Sequence, residues 1–555
     1  MSVEIGMLLI GSTGLAIFIA AITIVTFQLL RSYVHKWIQM KPIPGLSPTY
    51  PIFGNALHFK TDGGDFFSQM AEITAEHRGL PLLKIWLGTL PFVLLYHAEN
   101  VEVMLSSSRH IEKSYAYVFL HPWLGTGLLT STAEKWRSRR KMLTPTFHFS
   151  ILTEFLEVMN EQSDILVKKL EKHADKETFN CFSHITLCAL DIICETAMGK
   201  KIYAQSNSDS EYVQAVYRMS DIIHRRQKMP WFWSDLTYYV FGEGRKHNRN
   251  LKILHSFTES VIAERAQNMA SPEKNSLSSD SDTDHIAKKK RKAFLDMLLN
   301  ATDEDGNGLS QEDIREEVDT FMFEGHDTTA AAMNWTIHLL GCHPEEQRKV
   351  QKELDEVFGT SDHPVSMEDL KRLRYLECVI KESLRLFPSV PFFGRTFCED
   401  CNIRVCKYSP KGPESSCNRV SVQLHKSSMF SLTWGYVFDG FKVPKGANAL
   451  IIPYALHRDP RHFPDPEEFR PERFLPENSS KRHPFAFVPF SAGLRNCIGQ
   501  RFALMEEKVI LSKILRHFQV EAKQKRDELR LLGELILRPE SGILIQLTKR
   551  TQKLI

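Results

Sequence analysis

Ten consecutive residues, Phe490-Ser491-Ala492-Gly493-Leu494-Arg495-Asn496-Cys497-Ile498-Gly499, hold a thiol, a guanidinium and two glycines in the spacing F-x-x-G-x-R-x-C-x-G. Cys497 can offer a thiolate to a metal. Arg495 can grip a carboxylate as a two-toothed fork. Gly493 and Gly499 let backbone approach a flat group with no Cβ between. A lone cysteine is most often a small core residue. Four residue types at fixed spacing point instead to a cofactor cradle.

A second constellation is Glu324-Gly325-His326-Asp327-Thr328-Thr329. On a helix, Glu324, Asp327 and Thr328 stand at i, i+3 and i+4 and share one face. Gly325 weakens a helix by about 1 kcal/mol relative to Ala, so its use implies that something large comes close there. The alternative is a solvated acidic face. Phe321, Met322, Phe323 and Ala330 to Ala332 flank the site and argue for burial. Two weaker patterns are Glu382-x-x-Arg385, with Arg473 later, and Trp136-x-x-x-Arg140 in the helix-like stretch Glu134–Met142. An i, i+3 ion pair alone is common on helix surfaces. The basic neighbours Lys135, Arg137, Arg139 and Lys141 are either solvated surface or a docking face for an acidic partner.

These residues need a mostly helical body to hold them. Helical periodicity runs through 150–200, 211–228, 249–270, 311–341, 343–358 and 367–387. Strand-like runs are short, at 82–86, 91–96, 442–453 and Gly542–Leu547. Residues 271–292 are rich in Ser, Asp and Lys and read as a solvated loop. Ahead of the body, Ile5 to Leu30 form a run of 26 residues without Asp, Glu, Lys or Arg. That length spans a bilayer core of roughly 30 Å. A signal peptide would start basic and be shorter; here Glu4 precedes the run. Arg31, His35, Lys36 and Lys41 follow it, so the positive-inside rule puts the body in the cytosol. The expected division is an anchor at 1–30, a basic and proline-rich linker at 31–51, and a catalytic body at 52–555.

Composition narrows the function. The chain has 555 residues, 70 Lys+Arg against 67 Asp+Glu, and a formal charge of +3, which speaks against nucleic-acid binding. Its 10 cysteines are scattered, as in a reducing compartment, apart from a cluster between Cys398 and Cys417. Gly125-Thr126-Gly127 lacks the third glycine of a dinucleotide fingerprint. No dinucleotide site of the chain's own is therefore expected. His457-Arg458-Asp459 lacks the other motifs of a kinase.

The cysteine loop matches, at every defining position, that of the haem-thiolate monooxygenases, the cytochrome P-450 superfamily. The resemblance implies a mainly α fold with small β-sheets, preceded here by one N-terminal transmembrane helix. It implies haem b with Cys497 as the axial iron ligand and Phe490 shielding the sulfur. Arg495, Trp136, Arg140 and Arg395 would face the haem propionates, with Gly493 and Gly499 in the cofactor loop. Glu324–Thr329 resembles the family's oxygen-activating helix, in which Asp327 and Thr328 would deliver protons. Glu324 replaces the usual Ala, the mark of family 4, where this glutamate can form an ester with a haem methyl. Glu382, Arg385 and Arg473 resemble a structural ion network. Trp136–Phe149, Ile314–Ala332 and Ile452–Pro460 read as subfamily V does. The implied activity is hydroxylation of a fatty acid at its terminal (omega) carbon in the endoplasmic reticulum membrane. It would use O2 and electrons from NADPH–cytochrome P-450 reductase, with cytochrome b5 as a second candidate donor. Hydroxylation of another lipid or a steroid is the alternative. A peroxide isomerase, or a haem- or sterol-binding protein, would not need the Asp327–Thr328 pair.

One stretch departs from the pattern. Arg404 to Phe438 intervene where the family passes from Ile403 almost directly to Asp439. The insert gives the spacing Cys398-x2-Cys401-x4-Cys406-x10-Cys417 with no paired histidine, unlike usual zinc sites. A poorly packed surface excursion, arising from gene structure or splicing, is expected.

Overall fold

The computed structural model describes residues 2–207, 210–270, 293–301, 306, 308–403 and 440–550. Helix α1 (Ser2–Met40) begins it. Its segment Ile17–Met40 contains an uncovered apolar window of mean hydropathy 1.8 and is long and apolar enough to cross a membrane. The helix continues past Leu30. Arg31 to Met40 are therefore helical, and the chain turns only at Lys41. The end of α1 is held by the body. Lys84 Nζ donates to the carbonyls of Met40 (2.8 Å) and Lys41 (3.2 Å), the place where a helix end favours a cation. Met40 and Ile43 are buried against the first sheet.

The helices that matter next are α2 (Gly63–Glu76), α3 (Ala98–Leu105), α4 (Ala133–Leu143), α5 (Phe149–Leu170), α6 (Phe182–Thr196), α7 (Glu211–Lys228), α8 (Asp235–Phe241) and α9 (Gly244–Ala270). They are followed by α10 (Gln311–Cys342), α11 (Pro344–Phe358), α12 (Met367–Arg372), α13 (Arg374–Leu386) and α14 (Gln500–His517). The strands are β1 (Leu83–Leu87), β2 (Leu90–Leu95), β3 (Phe179–Asn180), β4 (Phe393–Thr396), β5 (Cys401–Ile403) and β6 (Phe441–Val443). Then come β7 (Asn448–Ile451), β8 (Phe518–Ala522), β9 (Leu531–Gly533), β10 (Leu537–Pro539) and β11 (Leu544–Lys549). The largest sheet has the order β1-β2-β7-β4, with β2 and β7 parallel and the other pairs antiparallel. The rest are β3-β11-β8 and the hairpins β9-β10 and β5-β6.

Three expected elements are broken. The 150–200 run splits into α5 and α6 because Phe179 and Asn180 pair with Ile545 and Leu544 of β11. The 367–387 run breaks at Leu373, where the carboxylate of Glu353 on α11 accepts from the N–H groups of Arg374, Tyr375 and Leu376 and starts α13 afresh. The 442–453 run divides into β6 and β7 at a turn in which Gly446 has φ +79°. Each break depends on a distant partner or on a turn.

Helix α10 is the central strut. Ser310 caps it, accepting from the N–H of Asp313 at 3.1 Å. From Ile314 to Leu340 it is buried almost all round, as a helix surrounded by others must be. At Gly325 the helix α6 packs close: a Cβ there would lie 2.6 Å from Ile193 Cδ1. The large group that this glycine admits is thus the Ile193 side chain.

Ile403 of β5 stands opposite Phe441 of β6. Residues 404–439, with Cys406 and Cys417, and the loop 271–292 lie outside the described residues. No group of three or more His, Cys, Asp or Glu able to hold a metal occurs among the described residues.

Candidate active site

The cysteine loop leads directly into α14, with Gly499 at the N-cap. Its backbone is pinned by Cys497 N–H to the Phe490 carbonyl (2.9 Å) and Asn496 N–H to the Gly493 carbonyl (3.2 Å). Gly493 has φ +70°, and a Cβ there would lie 1.8 Å from the Leu105 carbonyl oxygen at the end of α3. Its missing side chain seats the loop on α3, where the sequence had suggested approach to a flat group. Gly499 does face the site. It has φ −88°, and a Cβ there would make only ordinary contacts, 3.9 Å from Cys497 Sγ.

Two residues of α4 brace the loop. Arg140 donates to the Asn496 carbonyl (2.6 Å) and to its Oδ1 (2.8 Å). Trp136 lies under the Arg495 guanidinium, 4.9 Å from its ring centre. Arg495 itself donates to the carbonyls of Ile111 (2.9 Å) and Ser131 (2.8 Å).

Cys497, Phe490, Gly499, Trp136, Arg140, Arg395, Arg495, Glu324 and Thr328 all line one cavity of about 370 Å³. The rest of its wall is mainly apolar, including Phe119, Leu120, Phe321, Phe392 and Phe502. Cys497 is accessible because it opens onto this space. It nevertheless lies deep in the protein, and burial pushes its thiol pKa up to about 11 against the opposing Gly499 N–H. Burial raises Glu324 to about 7, and the nearby Lys113 ammonium opposes the shift.

Asp327 is placed differently from the other two residues of its motif. Glu324 and Thr328 reach the cavity, whereas the Asp327 carboxylate pairs with Nε and Nη2 of Arg538 on β10, away from the cavity wall. Thr328 Oγ1 donates to the Glu324 carbonyl at 2.8 Å, and the Thr328 carbonyl accepts from Ser389 at 2.9 Å. Glu382, Arg385 and Arg473 come together beside the site. Arg385 forks onto Glu382 at 2.7 and 2.8 Å with both side chains buried, and Arg473 Nε stands 3.3 Å from Glu382.

The basic residues of α4 do not form one outward face. Lys135 pairs with Asp313 (3.0 Å) and Glu316 (2.9 Å), and Arg139 pairs with Asp313, because the acidic first turns of α10 lie against α4. Arg137 and Lys141 are exposed. Lys113 and Arg538 escaped the sequence reading because neither belongs to a motif. Lys113 lines the cavity with its Nζ 4.4 Å from the Tyr117 ring centre.

The cytochrome P450 family model matches residues 44–427 and 428–547. Cytochrome P450 4V2 of Pongo abelii is 60% identical over 537 residues, which cover 96% of this chain and 94% of that protein. Cytochrome P450 4V2 of Homo sapiens is 59% identical over 540 residues, covering 97% of this chain and 96% of that protein. Cytochrome P450 4c3 of Drosophila melanogaster is 46% identical over 558 aligned positions, covering 99% and 97%. The chain belongs to the cytochrome P-450 superfamily of haem monooxygenases, the class that its mainly helical fold and thiol-bearing cavity define. Within that superfamily it falls in family 4, on the side of subfamily V.

The residues present fit the family's haem. Arg395 and Arg495 are buried cations lining the cavity, Lys113 is a half-buried one, and among the described residues none of the three has a carboxylate within ion-pair distance. Burial pulls the Arg495 pKa down to about 10. Unpaired buried charge of this kind is costly. A flat group carrying two carboxylates would relieve it on this wall, with its iron toward Cys497.

Proposed function

We propose that this protein is a membrane-anchored fatty-acid hydroxylase that oxidises the terminal (omega) carbon with O2 and electrons from NADPH–cytochrome P-450 reductase. The observation that carries the reading is the cavity itself. Its walls are largely aromatic and aliphatic, suited to an alkyl chain, and Cys497, Glu324 and Thr328 open into it together. When bound, the haem supplies the oxygen-activating iron, and a thiolate ligand pushes electron density toward it and favours O–O cleavage.

Cys497 would be that ligand, with Phe490 shielding the sulfur. Arg140, Arg395, Arg495 and Trp136 would receive the propionates. Thr328 would hold a proton at Oγ1 at the cavity wall. Asp327, fixed by Arg538 behind it, would sustain that proton supply. Glu324 would tether the cofactor through an ester, fixing the haem edge against a less reactive chain end. Glu382, Arg385 and Arg473 would hold the surrounding fold. In this reading residues 1–30 insert in the endoplasmic reticulum membrane and the body faces the cytosol, because the positive flank follows the apolar run. Cytochrome b5 is a second candidate donor.

The test is turnover of a mixed fatty-acid pool by the full chain reconstituted with reductase and NADPH, with products identified by mass spectrometry. Omega-hydroxy acids are the expected products. Absence of any oxidised fatty acid refutes the reading.

A further inference from the structure

The end of the cavity formed by α7, α2 and the β9–β10 hairpin carries polar chemistry that the haem does not use. His224 and Lys228 are four residues apart on α7 and both line the cavity. They share one aromatic platform. The His224 ring meets the Phe66 ring edge-on at 5.3 Å, and Lys228 Nζ lies 4.5 Å from the same ring centre. Both are almost completely buried, at 5% and 4% exposure.

An ammonium in such a place would ordinarily be paired. Lys228 Nζ donates to the Thr61 carbonyl at 3.0 Å, and among the described residues it has no carboxylate within ion-pair distance. The acids around it are committed elsewhere. Asp221 holds Arg225 at 2.6 Å, Asp62 holds Arg530, and Glu534 stands 3.5 Å from Arg538. An ammonium has three donors, so at least one remains after Thr61. His224 Nδ1 is also buried without a hydrogen-bond partner. Two polar groups on one cavity wall, one of them a cation short of an anion, define a receptor for a carboxylate.

We propose that Lys228, with His224 beside it, anchors the carboxylate of the substrate acid, leaving the methyl end of the chain toward Cys497. The inference rests on the fatty-acid reading and makes Lys228 a positioning residue that sets which end of the chain is oxidised.

The experiment compares palmitate with methyl palmitate, an ester of the same chain without the charge. Binding is read from the substrate-induced shift of haem absorbance and products by mass spectrometry, in wild type, Lys228→Gln and Lys228→Arg at matched haem content. Lys228→Gln weakens palmitate binding by about tenfold or more, the scale of one charge-assisted hydrogen bond. It leaves methyl palmitate within about twofold, since an ester presents no charge to lose. The omega fraction of the palmitate products falls. Lys228→Arg keeps the charge and retains more palmitate affinity than Lys228→Gln. Equal losses for acid and ester, no loss for either, or a loss in Lys228→Arg as large as in Lys228→Gln overturns the anchor alone. Wild type that neither binds nor oxidises any fatty acid overturns the fatty-acid reading and the anchor with it.

Discussion

The two glycines of the cysteine loop respond oppositely to the same substitution. In Gly493→Ala the new Cβ meets the Leu105 carbonyl oxygen, where it would lie at 1.8 Å, and that atom is backbone and cannot rotate away. The residue also holds φ +70°, a conformation that costs an L side chain about 1–2 kcal/mol. Relief requires moving the loop off α3, and with it Cys497. The combined cost is about 3 kcal/mol or more, roughly a hundredfold in the fraction of correctly seated loop. In Gly499→Ala the backbone is at φ −88°. The new Cβ sits 3.9 Å from Cys497 Sγ and 4.0 Å from Phe147, which is ordinary contact. That change costs about 1 kcal/mol or less, the difference between Gly and Ala at an N-cap. The assay is haem bound per protein and the amplitude of the strongly red-shifted Soret band of the ferrous–CO complex. Gly493→Ala loses most of both, and Gly499→Ala keeps both near wild type. Equal damage at the two positions, or full haem loading in Gly493→Ala, refutes the reasoning.

Thr328→Ala leaves haem and substrate binding nearly intact but diverts NADPH consumption toward peroxide; unchanged coupling removes Thr328 from proton delivery. Glu324→Ala leaves all haem extractable by acid and organic solvent after turnover, whereas wild type retains a covalent fraction; complete extraction from turned-over wild type ends the tether reading. Glu507 is buried on α14, and burial raises its pKa from 4.5 to about 8. Its folded form binds the proton more tightly than its unfolded form, so stability falls as pH rises from about 4.5 to about 8. Glu507→Gln, which cannot ionise, flattens that part of the stability profile in thermal melts across this range; an unaltered profile contradicts the burial argument. Excising Arg404–Phe438 joins Ile403 to Asp439 and leaves Asp439-Gly440 as a two-residue turn between the paired Ile403 and Phe441, a favoured hairpin sequence. The shortened chain loads haem and hydroxylates at least as well as the parent; loss of the folded haem protein shows the insert to be integral to the fold and reopens the cysteine cluster as a metal site, which metal analysis decides.

Much of this protein was legible in its residues because the informative signals are local. The F-x-x-G-x-R-x-C-x-G spacing and the Glu324–Thr329 stretch survive in sequence because a loop and one helix turn hold them. Helical periodicity gave α7, α10 and α11 nearly residue for residue, since amphipathic or buried helices follow from spacing alone. The family likewise followed from motif order. What sequence could not decide was which distant group each side chain would meet. β3 exists because a C-terminal strand pairs with it, and α13 starts where it does because Glu353 caps it from another helix. Asp327 turns from the cavity because Arg538, 211 residues later, waits behind it. Lys135 and Arg139 face inward because α10 presents acids to them. Gly325 and Gly493 are glycines for packing reasons that become visible only when Ile193 and Leu105 are in place. Lys228 has no signature at all: its spare donor acquires meaning only when folding buries it on a cavity wall and commits every neighbouring acid to an arginine.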